Sequence, residues 1–158
     1  MGINKVKIGK KVPEFDLEST GEKTVKLSQL KGKNIIIYFY PKDSTPGCTI
    51  EAQNFRDNIR KFSSLNTLIL GVSRDTIISH EKFKKNQKLP FDLLSDYDEK
   101  LCKIFDVMKE KNMYGKKFIG IERSTFLIDK KGVLRNEWRK VKVKEHVNDV
   151  LQTIKKLK

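Results

Sequence analysis

The 158-residue sequence is long enough to bury a core without disulfides or a structural metal, and we expect residues 1–158 to form a single domain. Its formal net charge is +14, yet the lysines are scattered, and zinc-finger spacing, RRM-type aromatic motifs and glycine-rich phosphate loops are absent from the sequence. We interpret the charge as a solvated surface and expect no specific nucleic-acid partner, no metal site and no cofactor.

The sequence gives no sign of export or membrane insertion. Its first residues are basic but lack the apolar core of a secretory signal, and the longest apolar run, IIIYFY, is far too short to cross a bilayer. Two cysteines, Cys48 and Cys102, do not make the disulfide framework of a small secreted protein. We therefore expect a cytoplasmic protein without membrane contact.

The first segments favour β-structure. Residues 14–20 and 23–30 alternate apolar and polar side chains around Gly21, which predicts a hairpin or two short strands. The run NIIIYFY (34–40) is continuously β-branched and aromatic, as in a strand buried on both faces.

A helix is predicted directly after this strand. Thr45 is the expected N-cap, and Pro46 suits the first helical position. One face then carries apolar residues at helical spacing, namely Cys48, Ala52, Phe55, Ile59 and Phe62.

The middle of the chain continues the alternation of predicted strands and helices. NTLILGVS (66–73) predicts a second buried strand, residues 76–88 a polar, lysine-rich helix, and LPFDLLSD (89–96) a short extended piece. Asp96 with Glu99 resembles a capping box for a helix through YDEKLCKIFDV.

The last third predicts a loop, a hairpin and a helix. Residues 108–120 have a loop-like composition, and STFLIDKKGVLRNEW (124–138) predicts a hairpin that turns at 129–132. The helix predicted over 144–157 has one apolar stripe, formed by Val147, Val150, Leu151, Ile154 and Leu157. Because crossover helices force the two core strands to be parallel, the sum is an α/β fold whose mixed central sheet has helices on both faces.

Cys48 is the residue of greatest chemical interest. A cysteine in the first turn of a helix meets unpaired backbone N–H groups and the positive end of the helix dipole, which favour thiolate over thiol. Pro41 and Pro46 stiffen the preceding loop, and Gly47 allows a small ligand to approach the backbone. From these residues alone, Cys48 fits a nucleophile and a buried helix-start residue equally well.

Two motifs resemble those of a known family. YPKDSTPGCTIEA resembles the active-site segment of peroxiredoxins, with Pro41, Thr45 and Cys48 at the family spacing, and is most similar to the peroxiredoxin Q subgroup, or bacterioferritin comigratory protein. ERSTFLID resembles the segment that carries the subgroup's catalytic arginine, which maps to Arg123. The similarity covers nearly the whole chain and implies a thioredoxin-like fold.

The resemblance implies a peroxidase that uses no cofactor. Cys48 would attack hydrogen peroxide or an organic hydroperoxide and become a sulfenic acid. Thr45 would orient the peroxide, Arg123 would hold the thiolate and stabilise the transition state, and Pro41 would shield the pocket from water.

Two further residues would support that site. Gly47 would contribute a backbone N–H to the anion-stabilising set. Glu51 is implied to position Arg123 or the loop, and we do not expect it to transfer protons.

The sequence departs from the subgroup in its resolving cysteine. Many members carry this cysteine five residues after the nucleophile, where Gln53 stands here, or in the next helix, where residues 76–88 contain no cysteine. Cys102, beside Leu101 and Phe105, fits a small apolar core residue. We therefore expect a single-cysteine cycle with an external thiol reductant (thioredoxin, a glutaredoxin or glutathione); the alternative is a two-cysteine cycle with Cys102 as resolver.

Other classes of protein make different demands on the sequence. A thiol–disulfide oxidoreductase needs a C-x-x-C pair, but Thr49, Ile50 and Glu51 follow Cys48. A non-enzymatic, basic nucleic-acid-binding protein remains the alternative from a different class.

His80 and His146 lack metal-ligand spacing and are expected at the surface. We expect a monomer, with a dimer as the alternative.

Overall fold

A mixed β-sheet of seven strands lies at the centre of the molecule. The computed structural model describes residues 5–157. Its strands, in chain order, are β1 (Asp16–Ser19), β2 (Lys23–Lys26), β3 (Asn34–Phe39), β4 (Thr67–Ser73), β5 (Asp92–Ser95), β6 (Met108–Met113), β7 (Lys116–Ile121), β8 (Ser124–Ile128) and β9 (Leu134–Trp138). Strands β6 and β7 form a separate two-stranded sheet, and the others build the central sheet.

The helices connect these strands. They are α1 (Pro46–Asp57), α2 (Ile59–Ser64), α3 (Ile77–Gln87), α4 (Lys100–Ile104) and α5 (His146–Lys155), with a 3-10 turn at Leu27–Leu30. Within residues 5–157, none of them is long and apolar enough to cross a bilayer.

The strand order of the central sheet is β2-β1-β5-β4-β3-β8-β9. Strand β3 runs parallel to β4, and β4 runs parallel to β5. Strand β8 pairs antiparallel with β3 and with β9, and β1 pairs antiparallel with β2 and β5. The predicted α/β class, with parallel core strands and an antiparallel terminal hairpin, is confirmed.

The sheet separates two hydrophobic cores, and β3 contributes to both. Its alternate residues Ile35, Ile37 and Phe39 enter one core, and Ile36, Tyr38 and Tyr40 enter the other, because successive side chains of a strand point to opposite faces. The Ile35 side also receives α4, whereas α1, α2, α3 and α5 pack on the Tyr38 side. Helices therefore cover both faces of the sheet, as predicted.

The loop expected over residues 108–120 is wrong, because these residues form the β6–β7 hairpin. Its register runs from Met108 opposite Ile121 to Met113 opposite Lys116. Tyr114 and Gly115 make the turn with φ values of 54° and 78°, the positive values that a tight two-residue hairpin turn requires. The sequence did not predict this hairpin, because most of its side chains are exposed and its lysine-rich strands lack apolar alternation.

Two predicted helices are shorter in the structure. The helix expected through YDEKLCKIFDV is helical only over α4 (Lys100–Ile104). The helix that begins at Pro46 ends at Asp57, and Asn58 separates it from α2, so Ile59 is only half-buried. The expected capping box of Asp96 with Glu99 is also wrong. The Asp96 carboxylate instead accepts from the N–H groups of Leu101 and Cys102, while Glu99 binds Arg74.

A glycine in β4 makes room for the aromatic stack on which α1 rests. Gly71 lies opposite Tyr38 in the β3–β4 register, and the Tyr38 ring stacks on Phe55 of α1 with 4.6 Å between centroids. A Cβ atom at position 71 would lie 2.8 Å from Cδ2 of Leu93 and 3.0 Å from the Tyr38 ring. Because both neighbours are fully buried, an added methyl group would have to displace them.

We expect G71A to lower the free energy of unfolding by about 1–3 kcal/mol through overpacking. Shortening Leu93 to alanine should cost less in the G71A background than in the wild type, because the added methyl group would occupy part of the space that Leu93 vacates. Urea unfolding of the two single variants and the double variant measures both effects. Strictly additive losses would contradict this account of the contact.

Candidate active site

The loop between β3 and α1 carries most of the predicted site residues. Pro41 is half-buried on this loop, and Thr45 is the N-cap residue, with the extended backbone (φ −85°, ψ 156°) expected there. Its side chain, however, makes no capping hydrogen bond, and the hydroxyl donates to the Lys42 carbonyl at 2.8 Å. Capping by the Thr45 hydroxyl is therefore a wrong expectation, and that side chain leaves the first N–H groups of α1 free to meet another acceptor.

Cys48 lies in the first turn of α1 and is 2% exposed. It belongs to the core on the Tyr38 side of the sheet, together with Ala52 and Phe55 of the same helix. Its sulfur is nevertheless in polar contact, since Nη2 of Arg123 lies 3.5 Å from the Cys48 Sγ atom. Cys48 is thus a buried helix-start residue that also has a cationic partner.

The sheet topology brings Arg123 to this loop. Arg123 immediately precedes β8, whose first residue, Ser124, lies opposite Phe39 at the end of β3. The loop to Cys48 begins where β3 ends, so residues 75 positions apart meet at one edge of the sheet. The N–H of Val141 donates to the Arg123 carbonyl at 3.0 Å and fixes the backbone there.

Arg123 contacts two groups at once. Its Nη1 donates to Oε1 of Glu51 at 2.7 Å, while Nη2 contacts Cys48 Sγ. The side chains of Arg123 and Glu51 are 17% and 1% exposed, respectively. The planar guanidinium suits this arrangement because its two terminal nitrogens point in fixed directions.

Burial dominates the electrostatics of this cluster. Desolvation raises the pKa of Glu51 to about 7 even though Arg123 opposes the shift. Burial alone would lower the pKa of Arg123, but the negative charges of Glu51 and Cys48 outweigh it and raise that pKa. Oε2 of Glu51 is buried without a hydrogen-bond partner among the described residues, which adds to the cost of ionising this carboxyl.

Gly47 has a steric role that the sequence did not predict. A Cβ atom at this position would lie 3.2 Å from Nη2 of Arg123, the nitrogen that contacts Cys48. A side chain here would press on the guanidinium at its point of contact with the sulfur.

Cys102 lies apart from this cluster. It sits in α4, within the core on the Ile35 side, so the sheet separates it from Cys48. Burial, followed by the charge of Asp96, raises the pKa of Cys102 far above that of a free thiol. Neither Cys48 nor Cys102 forms a disulfide in the structure.

The expectation of two surface histidines is wrong, because both are buried. Nε2 of His146 lies 2.7 Å from Oγ1 of Thr125, and burial lowers the pKa of His146 to about 4. His80 packs against the active-site loop, with Nδ1 2.7 Å from Oδ2 of Asp43. Asp43, between Pro41 and Thr45, was also missed; its place within the motif was the one signal available in the sequence.

Side chains that can ligate metals meet at this point. Atoms of Asp43, Asp75 and His80 lie within 4.8 Å of one another. The Asp43 Oδ2 atom, however, is already in hydrogen-bond contact with His80 Nδ1 and Ser79 Oγ. These hydrogen bonds occupy the lone pairs of Asp43 Oδ2 that a metal ion would need. The cluster therefore fits a hydrogen-bond network better than a metal site.

Comparisons with known proteins identify the family of the chain. Residues 8–137 match the AhpC/TSA family. The chain is 55% identical to peroxiredoxin Bcp of Bacillus subtilis over 150 residues, which covers 95% of this chain and 96% of that protein.

Solved structures are similar over most of the chain. A structure of Xanthomonas campestris bacterioferritin comigratory protein, described as a trapped intermediate/ligand complex bearing on alkyl peroxide reduction, is 48% identical with a TM-score of 0.85 and covers 89% of this chain and 90% of that one. A mutant of Xylella fastidiosa PrxQ is 42% identical with a TM-score of 0.90 and covers 95% and 96%.

These similarities confirm the thioredoxin-like fold of peroxiredoxins. They also extend over both predicted motifs, around Cys48 and before β8. The chain belongs to the AhpC/TSA family, within its peroxiredoxin Q/Bcp group, and is a thiol-dependent peroxidase.

Proposed function

We propose that the Cys48 thiolate reduces hydrogen peroxide and organic hydroperoxides directly. The sulfur attacks one peroxide oxygen, an S–O bond forms and the O–O bond breaks. The departing oxygen leaves with the electron pair and takes up a proton to become water or an alcohol, and Cys48 becomes a sulfenic acid. The observation that carries this proposal is the contact of Arg123 Nη2 with Cys48 Sγ at 3.5 Å.

The remaining site residues would handle the peroxide. The Thr45 hydroxyl donates its hydrogen to the Lys42 carbonyl, so its lone pairs are free to accept the O–H of the peroxide. The N–H groups of Gly47 and Cys48, at the start of α1, would stabilise charge on the departing oxygen. Pro41, half-buried on the same loop, would limit the access of water.

Glu51 sets where Arg123 points. Its Oε1 binds Nη1 and thereby directs Nη2 toward the sulfur. Burial of this carboxyl raises its pKa to about 7 although Arg123 opposes the shift. We infer that Glu51 holds Arg123 in place and is partly protonated near neutral pH.

The structure favours a single-cysteine cycle. Cys102 lies across the sheet from Cys48, and a disulfide requires the two Cα atoms to come within about 7 Å. An external thiol would therefore attack the sulfenic acid and release water, and a second thiol would free Cys48 and form the reductant's disulfide. Thioredoxin, a glutaredoxin or glutathione can supply these two electrons. Without a resolving cysteine nearby, excess peroxide would drive Cys48 to sulfinic acid.

Removing each thiol in turn tests the assignment of Cys48. We expect C48S to abolish peroxide consumption in the presence of dithiothreitol, because serine does not form a sulfenic acid, and C102S to keep most of the wild-type rate. Residual peroxide, followed over time, measures both. Full turnover by C48S would remove Cys48 from the reaction, and loss of turnover in a folded C102S would point to the two-cysteine cycle.

The second test concerns the geometry of the arginine. R123K keeps a positive charge, but one ammonium group does not reproduce two contacts in fixed directions. We expect the second-order rate constant for oxidation of Cys48 by hydrogen peroxide to fall on the order of a hundredfold.

Stopped-flow kinetics measures that rate constant. R135K is the matched control, because Arg135 forms a partly exposed ion pair with Asp129, which follows the end of β8 opposite to Arg123. An R123K enzyme as fast as R135K would show that charge alone suffices.

The raised pKa of Glu51 predicts a pH-dependent stability. A carboxyl whose pKa rises from 4.5 unfolded to about 7 folded holds its proton more tightly in the folded state. Its contribution to stability is therefore full below pH 4.5 and is lost as the pH rises to 7, by up to about 3 kcal/mol. Relative to E51Q, which cannot ionise, the wild type should lose stability across this window. Urea unfolding at several pH values measures the difference, and a constant difference would contradict the raised pKa.

A further inference from the structure

A buried hydrogen-bond network holds the middle of the active-site loop. The Asp43 carboxylate accepts from the Tyr40 hydroxyl at 2.6 Å and from the Ser79 hydroxyl at 2.8 Å, and its Oδ2 lies 2.7 Å from Nδ1 of His80. Asp43 is 6% exposed and His80 is fully buried. This network lies outside the Cys48–Arg123–Glu51 cluster, and the proposed chemistry does not use it directly.

The protons of His80 follow from its partners. Its Nε2 lies 2.9 Å from the Leu94 carbonyl, which only accepts, so Nε2 carries a hydrogen. Nδ1 faces a carboxylate oxygen at 2.7 Å, and a second hydrogen must lie between these two atoms, since two lone pairs at that distance would repel. Whether the hydrogen sits on the ring or on Asp43, the pair is joined by one strong hydrogen bond.

A second contact fixes the backbone at the same residue. The N–H of Asp43 donates to Oδ2 of Asp75 at 2.9 Å, and the Ser73 hydroxyl donates to the same oxygen. The loop is therefore tied through its side chain to α3 and through its backbone to the segment after β4.

The residue next to this anchor has a strained backbone. Ser44 has φ +64°, in the left-handed region that residues other than glycine enter at a cost. Such conformations persist where surrounding contacts determine them. The chain reverses at Ser44 and delivers Thr45 and the first turn of α1, so the contacts of Asp43 fix the approach to Cys48.

We propose that His80, acting through Asp43, is a positioning residue for the peroxide-binding loop. Its hydrogen bond to Asp43 sets the place of Thr45 and of the first N–H groups of α1, while Arg123 reaches the sulfur independently from the other side. This inference rests on the proposed function of Cys48. If His80 positions the loop, substitutions of His80 slow the reaction of Cys48 with peroxide, which needs the loop, more than they slow alkylation of Cys48 by iodoacetamide.

Two isosteric variants of His80 separate positioning from packing. In H80N the side-chain amide takes the place of Nδ1 and keeps a donor toward Asp43; in H80Q it takes the place of Nε2 and keeps the bond to Leu94 while losing Asp43. We expect H80Q to lower the peroxide rate constant about ten- to a hundredfold relative to iodoacetamide alkylation, and H80N to stay within a few-fold of the wild type. Stopped-flow oxidation, alkylation kinetics and thermal unfolding of both variants measure this. Equal ratios in H80N and H80Q, or a wild-type ratio in H80Q, would overturn the proposal.

A second pair of variants guards against misfolding of the buried substitutions. Ser79 is only half-buried, and its hydroxyl donates to the same Asp43 oxygen. S79A should lower the same ratio several-fold, and S79T, which keeps a hydroxyl, should restore it; a wild-type ratio in S79A would count against the proposal. If the wild type itself forms no sulfenic acid, the proposed function fails, whereas a reactive wild type with an equally reactive H80Q overturns the positioning role alone.

Discussion

The contact of one guanidinium with both Cys48 and Glu51 is the interaction on which the rest of the site depends. A cysteine that is 2% exposed and has no polar partner would ordinarily be an inert core residue. Arg123 places a fixed cation 3.5 Å from the sulfur, and Glu51 holds the cation there. Burial makes both contacts stronger than they would be in water, and it also raises the pKa of Glu51.

The fold supplies this contact through the order of its strands. Strand β3 ends at the loop to Cys48, and β8, which follows Arg123, begins beside that end. On the other side of the loop, β4 leads to the segment that holds the Asp43 backbone, and α3 presents Ser79 and His80. The loop is thus held between two independent sets of contacts, one at the sulfur and one at Asp43.

The central sheet could be predicted from the sequence because its core strands have clear hydrophobic patterns. The continuous run 34–40 predicted a buried strand and Pro46 the start of a helix, and β3 and α1 lie where they were expected. The roles of Pro41, Thr45 and Cys48 came from the resemblance to peroxiredoxins and not from the residues alone. The β6–β7 hairpin was missed because hydrogen bonding between two mostly exposed strands leaves no hydrophobic pattern.

The errors at single residues have a common cause. His80 and His146 were placed at the surface, yet both are buried, because their hydrogen-bond partners come from distant parts of the chain. Thr45 matched the N-cap position but not the capping contact, since its hydroxyl turns to Lys42 instead. Tertiary structure decides with which partner a polar side chain forms its hydrogen bond. The local sequence does not specify that partner.

We propose that Cys48 alone carries the oxidised intermediate, while Cys102 lies on the opposite side of the sheet. Intact-mass spectrometry after one equivalent of hydrogen peroxide, with dimedone present as a sulfenic-acid trap, tests it most directly. We expect one dimedone adduct per chain, mapped by peptide analysis to Cys48, in both the wild type and C102S. An intramolecular disulfide between Cys48 and Cys102, seen as a loss of two hydrogens in the wild type and absent from C102S, would contradict it.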